Sequence, residues 1–438
     1  MVQLNSLLLA FLAVLLLRSW VQIYFNRLNI SYLRQHGTRV PEIFQDVIDP
    51  EKLRKIVAYT VDSENFQTVA ALANQALFLA ILISGFLPWL VGKISLWGYG
   101  PIVSGLIFFA LLSIVASLFR IPFNLYETFR IEERYGFNVM NFKMWILDLL
   151  KSLVLATILG GLVLGLLLAL VIYGGNTWWI WAWLLVGAFE LLLLWLFPVA
   201  ILPLFYKFDS IDNKGLENQI RTMLGKAGLR AKGIFKMDAS KRSKHTNAFF
   251  VGIGRTKRIV LFDTLLASHT EEEILAVLAH EAGHWKKKHV LRMLIILEIL
   301  SLVSFYVVAK LLNWPLLYQT FGFNELIIYV GLFLIGTFIS LLGFFAGPLE
   351  SAVSRKFERE ADDFALALMK TAEPMRAALK RLAADNLSNL NPHPLYAWFY
   401  YSHPPLVERI RRLEGYLESQ SQKLPLVSGE SYRDVPNP

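Results

Sequence analysis

Seven long apolar stretches constrain the fold of this chain more than any other feature of its 438 residues. They lie at roughly 4–24, 66–91, 101–122, 145–174, 178–206, 290–313 and 324–347, and each is long enough to cross a bilayer as an α-helix. The hydrophobic share of 55% agrees, because soluble globular domains contain fewer apolar residues. The sequence therefore predicts a mainly α-helical, polytopic membrane protein with seven transmembrane helices.

The basic residues between these stretches predict the orientation of the chain. Six Lys and Arg residues lie in the loop 25–60 and four in the loop 120–144, whereas the connections on the opposite side carry almost none. Positively charged loops stay in the cytoplasm, so we expect the amino terminus outside and the carboxyl terminus inside. The lack of cysteine and of a lysine-rich retrieval signal favours a bacterial inner membrane over the endoplasmic reticulum membrane.

The formal net charge of +9 is explained by membrane topology rather than by a nucleic-acid partner. The chain has no basic stripe interleaved with aromatic residues and no nucleic-acid fold motif, so we expect it not to bind nucleic acid. The lysines at 286–288 are instead interpreted as anchors for lipid head groups. Membrane lipid is therefore an expected partner.

Two polar blocks, 207–289 and 348–438, flank the hairpin formed by the last two apolar stretches. Both fall on the predicted cytoplasmic side, so we expect them to form one small soluble domain. The predicted division is 1–206 (five transmembrane helices with their cytoplasmic loops), 207–289 (first half of the soluble domain), 290–347 (two transmembrane helices) and 348–419 (second half). The tail 420–438 is rich in Ser, Pro and Asn and is predicted to be disordered.

A His-Glu-x-x-His motif at 280–284 carries the chemistry of the soluble domain. On a helix this spacing projects His280 and His284 from one face a single turn apart, so both imidazoles can bind one zinc ion. Glu281 would then lie beside the water that completes such a site and could act as a general base. The motif predicts a zinc-dependent hydrolase.

The residues before the motif predict the fold around it. Two apolar segments, 248–251 and 258–262, bracket a glycine-bearing turn and predict a β-hairpin. Thr270 and Glu273 form a capping box that starts the helix carrying the motif. A strand followed by a capped helix with the histidine pair is the order found in zincins, so we expect a small α+β, zincin-like domain.

A catalytic zinc needs a third protein ligand, and Glu358 is the best candidate. It lies just after the seventh apolar stretch, where neighbouring transmembrane helices would bring it to the membrane face that carries the histidine pair. Asp362, one turn later, could accept an N–H from a ligand histidine and fix its tautomer. His289 lies about 140° round a continuous helix from His284, so it is interpreted as a solvated or interfacial histidine rather than a ligand.

Several of these segments together resemble a known family. The motif at 280–284, the Glu-x-x-x-Asp segment 358–362, Asn-Ala-Phe-Phe at 247–250 and Tyr-Ser-His-Pro-Pro at 401–405, with seven spans, are similar to the type 1 CAAX prenyl proteases. These are integral-membrane zinc endopeptidases related to the HtpX-type heat-shock proteases. The resemblance implies seven helices enclosing a water-filled chamber, with a zinc site at its cytoplasmic end.

The resemblance also implies roles for individual residues. It implies one Zn²⁺ bound by His280, His284 and Glu358, with Glu281 as the base. It places Asn247 and His403 beside the substrate, which is implied to be a peptide or protein, possibly C-terminally prenylated.

Two of these residues have a chemical rationale of their own. We expect His403 to help stabilise the oxyanion during peptide hydrolysis. We expect Asn247, beside a predicted edge strand, to hydrogen-bond the substrate backbone.

Two alternatives remain open at the level of sequence. The same chemistry would serve a quality-control protease that degrades misfolded membrane proteins, as HtpX-like enzymes do. A transporter or scaffold with a structural zinc site is an alternative from another functional class. A structural zinc site is usually closed by four ligands, whereas this chain offers three and a glutamate placed as a base. The sequence therefore favours the protease.

Overall fold

The computed structural model describes residues 2–252 and 257–421. Its first half is a set of five long apolar helices: α1 (Ser6–His36), α2 (Pro50–Ile83), α3 (Pro101–Glu132), α4 (Phe142–Tyr173) and α5 (Gly175–Phe205). A short helix at Phe86–Ser95 lies between α2 and α3. Each of the five is long enough to cross a bilayer, which confirms the first five predicted spans.

Side-chain caps fix where several of these helices begin. Asn5 accepts a hydrogen bond from the Leu8 amide at the start of α1, and Asp49 accepts one from the Lys52 amide at the start of α2. Asn141 caps α4 in the same way. These caps bind amide groups that have no partner within the helix, so they stabilise the first turn of each span.

A four-stranded sheet follows α5 and begins the soluble domain. Its strands and helices are β1 (Phe208–Ser210), α6 (Lys214–Lys226), β2 (Gly233–Met237), β3 (Ala248–Val251), β4 (Arg258–Phe262) and α7 (Glu271–Lys286), with a short helix at Asp263–Ser268. The strand order is β1-β2-β4-β3, with β2 parallel to β4 and the other two pairs antiparallel. The predicted pairing of β3 with β4 is therefore confirmed, and β3 lies at the edge of the sheet.

The capping box predicted for the helix that carries the motif is present. The Thr270 side chain accepts from the Glu273 amide, and the Glu273 carboxylate accepts from the Thr270 amide. The backbone amides of Thr270 and Glu273 thus both have side-chain acceptors, and this fixes the first turn of α7. Because α7 begins at a defined residue, the position of the motif two turns later is also defined.

The chain then returns to the membrane twice before completing the soluble domain. The remaining helices are α8 (His289–Leu311), α9 (Ile328–Met369), α10 (Glu373–Asp385), α11 (Pro394–Tyr400) and α12 (Leu406–Ser421), with a short helix at Pro315–Thr320. With α8 and α9, the described part of the chain contains seven helices that are long and apolar enough to span a membrane. Of the predicted disordered tail at 420–438, only the last two residues of α12 are described.

Helix α9 joins the membrane part of the molecule to the soluble domain because it is 42 residues long. Its first half packs among the other spans, where Phe338 lies 5.0 Å from Phe11 of α1 between ring centroids. Its second half packs against α7, where Ala365 shares a buried apolar cluster with Leu278 and Ala282. One continuous helix therefore connects the bundle to the surface that carries the motif.

The spans enclose a polar cavity of about 480 Å³. It is lined by side chains of α1, α2, α3 and α9, among them Arg18, Gln75 and Arg120. Charged side chains inside a membrane protein avoid lipid and face protein or water, as Arg18 and Arg120 do here. None of the described residues that line this cavity belongs to the metal-ligand motif, so the single large chamber stays a prediction.

Candidate active site

Helices α7 and α9 bring three potential metal ligands together. The Nε2 atoms of His280 and His284 are 3.1 Å apart, and each lies 3.3 Å from a carboxylate oxygen of Glu358. Ligands held at about 2.0–2.1 Å around one tetrahedral ion would be about 3.4 Å from one another. The three side chains therefore have the spacing of a zinc site.

The protonation of this cluster also fits a cation. Two imidazole nitrogens and a carboxylate face a common point, and Oε2 of Glu358 is buried without a hydrogen-bond donor among the described residues. Such a set of lone pairs is unfavourable unless protons or a metal ion lie between them. Although burial favours the neutral ring, the neighbouring carboxylates of Asp362 and Glu358 raise the pKa of His280 to about 9. The cluster thus favours a positive charge at the point where the three side chains meet.

A glycine in the motif permits the close contact between the two helices. A Cβ atom at Gly283 would lie 2.9 Å from both the Cα and the carbonyl oxygen of Ala361. Ala361 itself is completely buried. Small residues at both positions let α7 and α9 approach closely enough for Glu358 to reach the two histidines.

Asp362 and Arg409 hold the first histidine in place. Asp362 lies 2.7 Å from Nδ1 of His280, and Arg409 donates to both carboxylate oxygens of Asp362 at 2.6 and 3.0 Å. All three side chains are buried. An Nδ1–H donated to Asp362 leaves the Nε2 lone pair of His280 directed at the metal position. The structure therefore places Asp362 beside Nδ1 of His280, and its role in fixing the tautomer stays a prediction.

The sequence did not predict the involvement of Arg409. It lies 129 residues after His280, on α12, and its guanidinium is 3.4 Å from the histidine ring. The need to neutralise a buried acid at Asp362 was a signal that some cation must be close. That signal did not indicate which of the many arginines in the second half of the chain supplies it.

The second histidine has a different partner, His289, and the prediction that the His289 side chain is solvated was wrong. His289 is 3% exposed, its Nδ1 lies 3.0 Å from Nδ1 of His284, and its Nε2 lies 3.1 Å from Glu360. The helical-wheel argument failed because α7 ends before Lys288, which has a φ of 58° in the left-handed region. His289 begins a new helix and turns back toward the site, although it is not one of the three converging ligands.

The remaining predicted residues differ in how close they come to this centre. His403 lies 3.2 Å from Glu358 through its Nε2 atom and is largely exposed. Glu281 lines a cavity of about 800 Å³ together with His284, Glu358 and His403. Burial raises the pKa of Glu281 above its ordinary value, which makes its carboxylate a stronger base.

Asn247 lies at the start of the edge strand β3 rather than in this cavity. Its side-chain oxygen accepts from the Ala248 amide at 2.8 Å, and its carbonyl accepts from the Phe262 amide at 3.1 Å. Asn247 is exposed, and it is not among the described residues that line the 800 Å³ cavity. The structure thus places Asn247 on the sheet edge that leads into the site.

A second, apolar cavity of about 640 Å³ adjoins the site between α5 and α8. Apolar side chains of these two membrane helices line most of it, including Leu193, Leu194, Met293 and Leu297. The two cavities share His284 and several neighbouring residues, so they adjoin at the metal site. The charged residues of the metal site line one cavity, and apolar side chains of two membrane-spanning helices line most of the other.

The seven spans and the His-His-Glu cluster define a class of protein, the polytopic membrane metallopeptidases. Two family models match this chain. The "CAAX prenyl protease N-terminal, five membrane helices" model matches residues 29–207, and the "Peptidase family M48" model matches residues 210–417. The chain therefore belongs to peptidase family M48, in its CAAX prenyl protease 1 group, and is a membrane zinc metalloprotease.

Individual relatives agree over nearly the whole chain. It is 35% identical to the CAAX prenyl protease 1 homolog of Arabidopsis thaliana, covering 86% of this chain and 90% of the relative. It is 33% identical to the CAAX prenyl protease 1 of Saccharomyces cerevisiae, covering 88% of this chain and 90% of the relative. The crystal structure of S. mikatae Ste24p superposes with a TM-score of 0.85 at 31% identity, covering 92% and 97% of the two chains. These matches favour neither the quality-control protease nor the transporter or scaffold.

Proposed function

We propose that this protein binds one Zn²⁺ through His280, His284 and Glu358 and hydrolyses a peptide bond near the carboxyl terminus of prenylated proteins. The observation that carries the proposal is the convergence of the three ligand atoms within 4.8 Å of one another. The chain lacks cysteine, so nitrogen and oxygen ligands are its only means of binding zinc. When bound, zinc supplies Lewis acidity that activates water and polarises the scissile carbonyl.

The side chains around the metal position supply proton transfer, oxyanion stabilisation and positioning of a ligand. Glu281 takes a proton from the attacking water and returns it to the departing amine, for which its raised pKa is suited. His403, 3.2 Å from Glu358, donates a hydrogen bond to the oxyanion of the substrate. Asp362 acts through His280 by fixing the tautomer of that ring, so it is a positioning residue.

The edge strand β3 provides a place for the substrate backbone. An edge strand has unpaired amide and carbonyl groups along one side, and an extended peptide can pair with them. Phe250 and Gly252 at the end of this strand line the cavity that holds Glu281 and His284. A peptide added to β3 would therefore run into the site, with Asn247 contacting its backbone at the other end of the strand.

Two observations support a prenylated substrate. The relatives at 35% and 33% identity are named as CAAX prenyl proteases. The apolar cavity of about 640 Å³ opens from His284 toward the membrane helices α5 and α8, where an isoprenoid chain would be shielded from water. A lipidated substrate would enter from the bilayer with its lipid in this cavity and its peptide in the adjoining cavity that holds Glu281 and Glu358.

The orientation and location of the protein are part of the same proposal. We place the amino terminus outside and the soluble domain in the cytoplasm, where the basic loops remain. We place the protein in a bacterial inner membrane, surrounded by lipid. Cysteine accessibility labelling of single-cysteine variants in intact cells and in inverted vesicles would test the orientation.

The proposed reaction is tested with purified protein and a fluorogenic peptide in prenylated and unprenylated form. We expect cleavage of the prenylated peptide that is lost with a chelator and restored by zinc, and lost in Glu281→Gln although this variant still binds zinc. Cleavage by a zinc-binding Glu281→Gln protein would contradict the mechanism. Equal cleavage of both peptides would contradict the prenylated substrate and favour a broader protease.

A further inference from the structure

One wall of the active-site cavity carries positive charge that the hydrolysis does not use. Lys257, Lys286 and Lys288 line the cavity of about 800 Å³, and its only lining carboxylates among the described residues are Glu281 and Glu358. Both carboxylates belong to the metal site and its base. None of the three lysines forms an ion pair with a described residue.

Lys257 and Lys288 have no hydrogen-bond or ion-pair partner for their side chains among the described residues, and of the two only Lys257 is held over an aromatic ring. Its Nζ lies 4.2 Å from the ring centroid of Trp285, which holds the ammonium by a cation–π contact. Lys286, by contrast, donates to the carbonyl of Ala227 at 2.9 Å. Lys257 forms no ion pair with any of the described residues. Burial lowers its pKa to about 8, as expected for an ammonium group without an anionic partner.

The position of Lys257 relates its charge to the scissile bond. It immediately precedes β4, the partner of the edge strand β3, and its aromatic contact Trp285 follows the ligand His284 on α7. The lysine and the metal site thus line the same cavity.

We propose that Lys257, held over Trp285, binds the carboxylate at the carboxyl terminus of the peptide being cleaved. The inference rests on the proposed function, because it concerns the part of the substrate that leaves. A cation in the cavity that holds the metal site favours substrates whose free carboxyl terminus reaches this cavity.

The experiment compares two prenylated peptides that differ only in ending as a free acid or as a carboxamide. We expect wild-type protein to prefer the acid by roughly tenfold or more in kcat/KM through a lower KM, the effect of one charge-assisted hydrogen bond. Lys257→Met should raise KM for the acid to that of the amide, and Lys257→Arg should keep the preference. Lys287→Met is the matched control, because Lys287 is exposed and does not line the cavity, and it should keep the preference in full.

Equal cleavage of acid and amide by wild-type protein would overturn the inference without involving any variant. Retention of the preference in Lys257→Met would overturn it as well. A peptide that ends in glutamate but carries a terminal carboxamide tests whether the lysine binds a side-chain carboxylate instead. If this peptide is cleaved as efficiently as the free acid, the proposal is also overturned. Failure to cleave any of the prenylated peptides would contradict the proposed function itself, so the two failures are distinguishable.

Discussion

The Nδ1 atom of His289 lies 3.0 Å from the Nδ1 atom of His284, and the far side of the His289 ring contacts Glu360 at 3.1 Å. When Nε2 of His284 binds a metal, its Nδ1 carries the proton and donates it to His289. His289 then donates its own Nε2–H to Glu360. A carboxylate and a histidine thus orient the second ligand, as Asp362 orients the first.

This arrangement predicts a loss of metal affinity when His289 is removed. We expect His289→Ala to weaken zinc binding by roughly tenfold or more, because the ligand ring of His284 loses the acceptor that orients it. Competition with a chromophoric chelator measures the affinity independently of activity. His289→Asn retains an acceptor and should recover part of the affinity, whereas unchanged binding in His289→Ala would contradict this role.

The contact between α7 and α9 predicts the effect of adding one methyl group. Gly283→Ala should destabilise the protein by about 1–3 kcal/mol and reduce zinc binding, because its Cβ would lie 2.9 Å from backbone atoms of Ala361. Thermal unfolding in detergent measures the first effect and chelator competition the second. Gly225→Ala is the control, because its Cβ would meet no atom within 4 Å, and it should be neutral or slightly stabilising.

The buried ion pair between Arg409 and Asp362 predicts a large effect on stability. Arg409→Met should destabilise the protein by about 3–5 kcal/mol, because it leaves the carboxylate of Asp362 buried without its counter-charge. Arg412→Met is a matched control on the same helix: Arg412 pairs with the exposed Asp363, and its loss should cost less than about 1 kcal/mol. Similar unfolding temperatures for the two variants would show that the Arg409 pair contributes little.

The pKa of Lys257 predicts how the choice between peptide ends depends on pH. Lys257 is charged below its pKa of about 8, so the preference for the free acid should be full at pH 6–7 and fade as pH rises through about 8. The terminal carboxylate stays ionised throughout this range. Other ionisable groups line the cavity: Glu281, His284, Lys286, Lys288, Glu358 and His403. Those that act equally on both peptides cancel in the ratio of the two kcat/KM values, and a ratio independent of pH would contradict the assignment.

The parts of this structure that are predictable from sequence are those that depend on local pattern. The spans follow from apolar length, and the pairing of His280 with His284 follows from the helical repeat. Glu358 required one further argument, that adjacent spans bring their ends to the same membrane face. All of these depend on features that lie within one segment or between neighbouring segments.

The parts that the sequence did not reveal depend on contacts between distant segments. Arg409 reaches Asp362 from a helix 47 residues later, and no periodicity connects them. His289 was misjudged because the break at Lys288 changes its direction, and a lysine in the left-handed region carries no sequence signal. Lys257 and Trp285 meet because the paired strands β3 and β4 pack against α7, where Phe250 of β3 also contacts Trp285.

X-ray absorption at the zinc edge of active, purified protein tests the central claim most directly. The account predicts about one zinc per chain with only nitrogen and oxygen ligands at about 2.0–2.1 Å, and loss of this signal in a Glu358→Ala variant that remains folded. Fully active protein without bound metal would contradict it, as would a zinc shell unchanged after removal of Glu358.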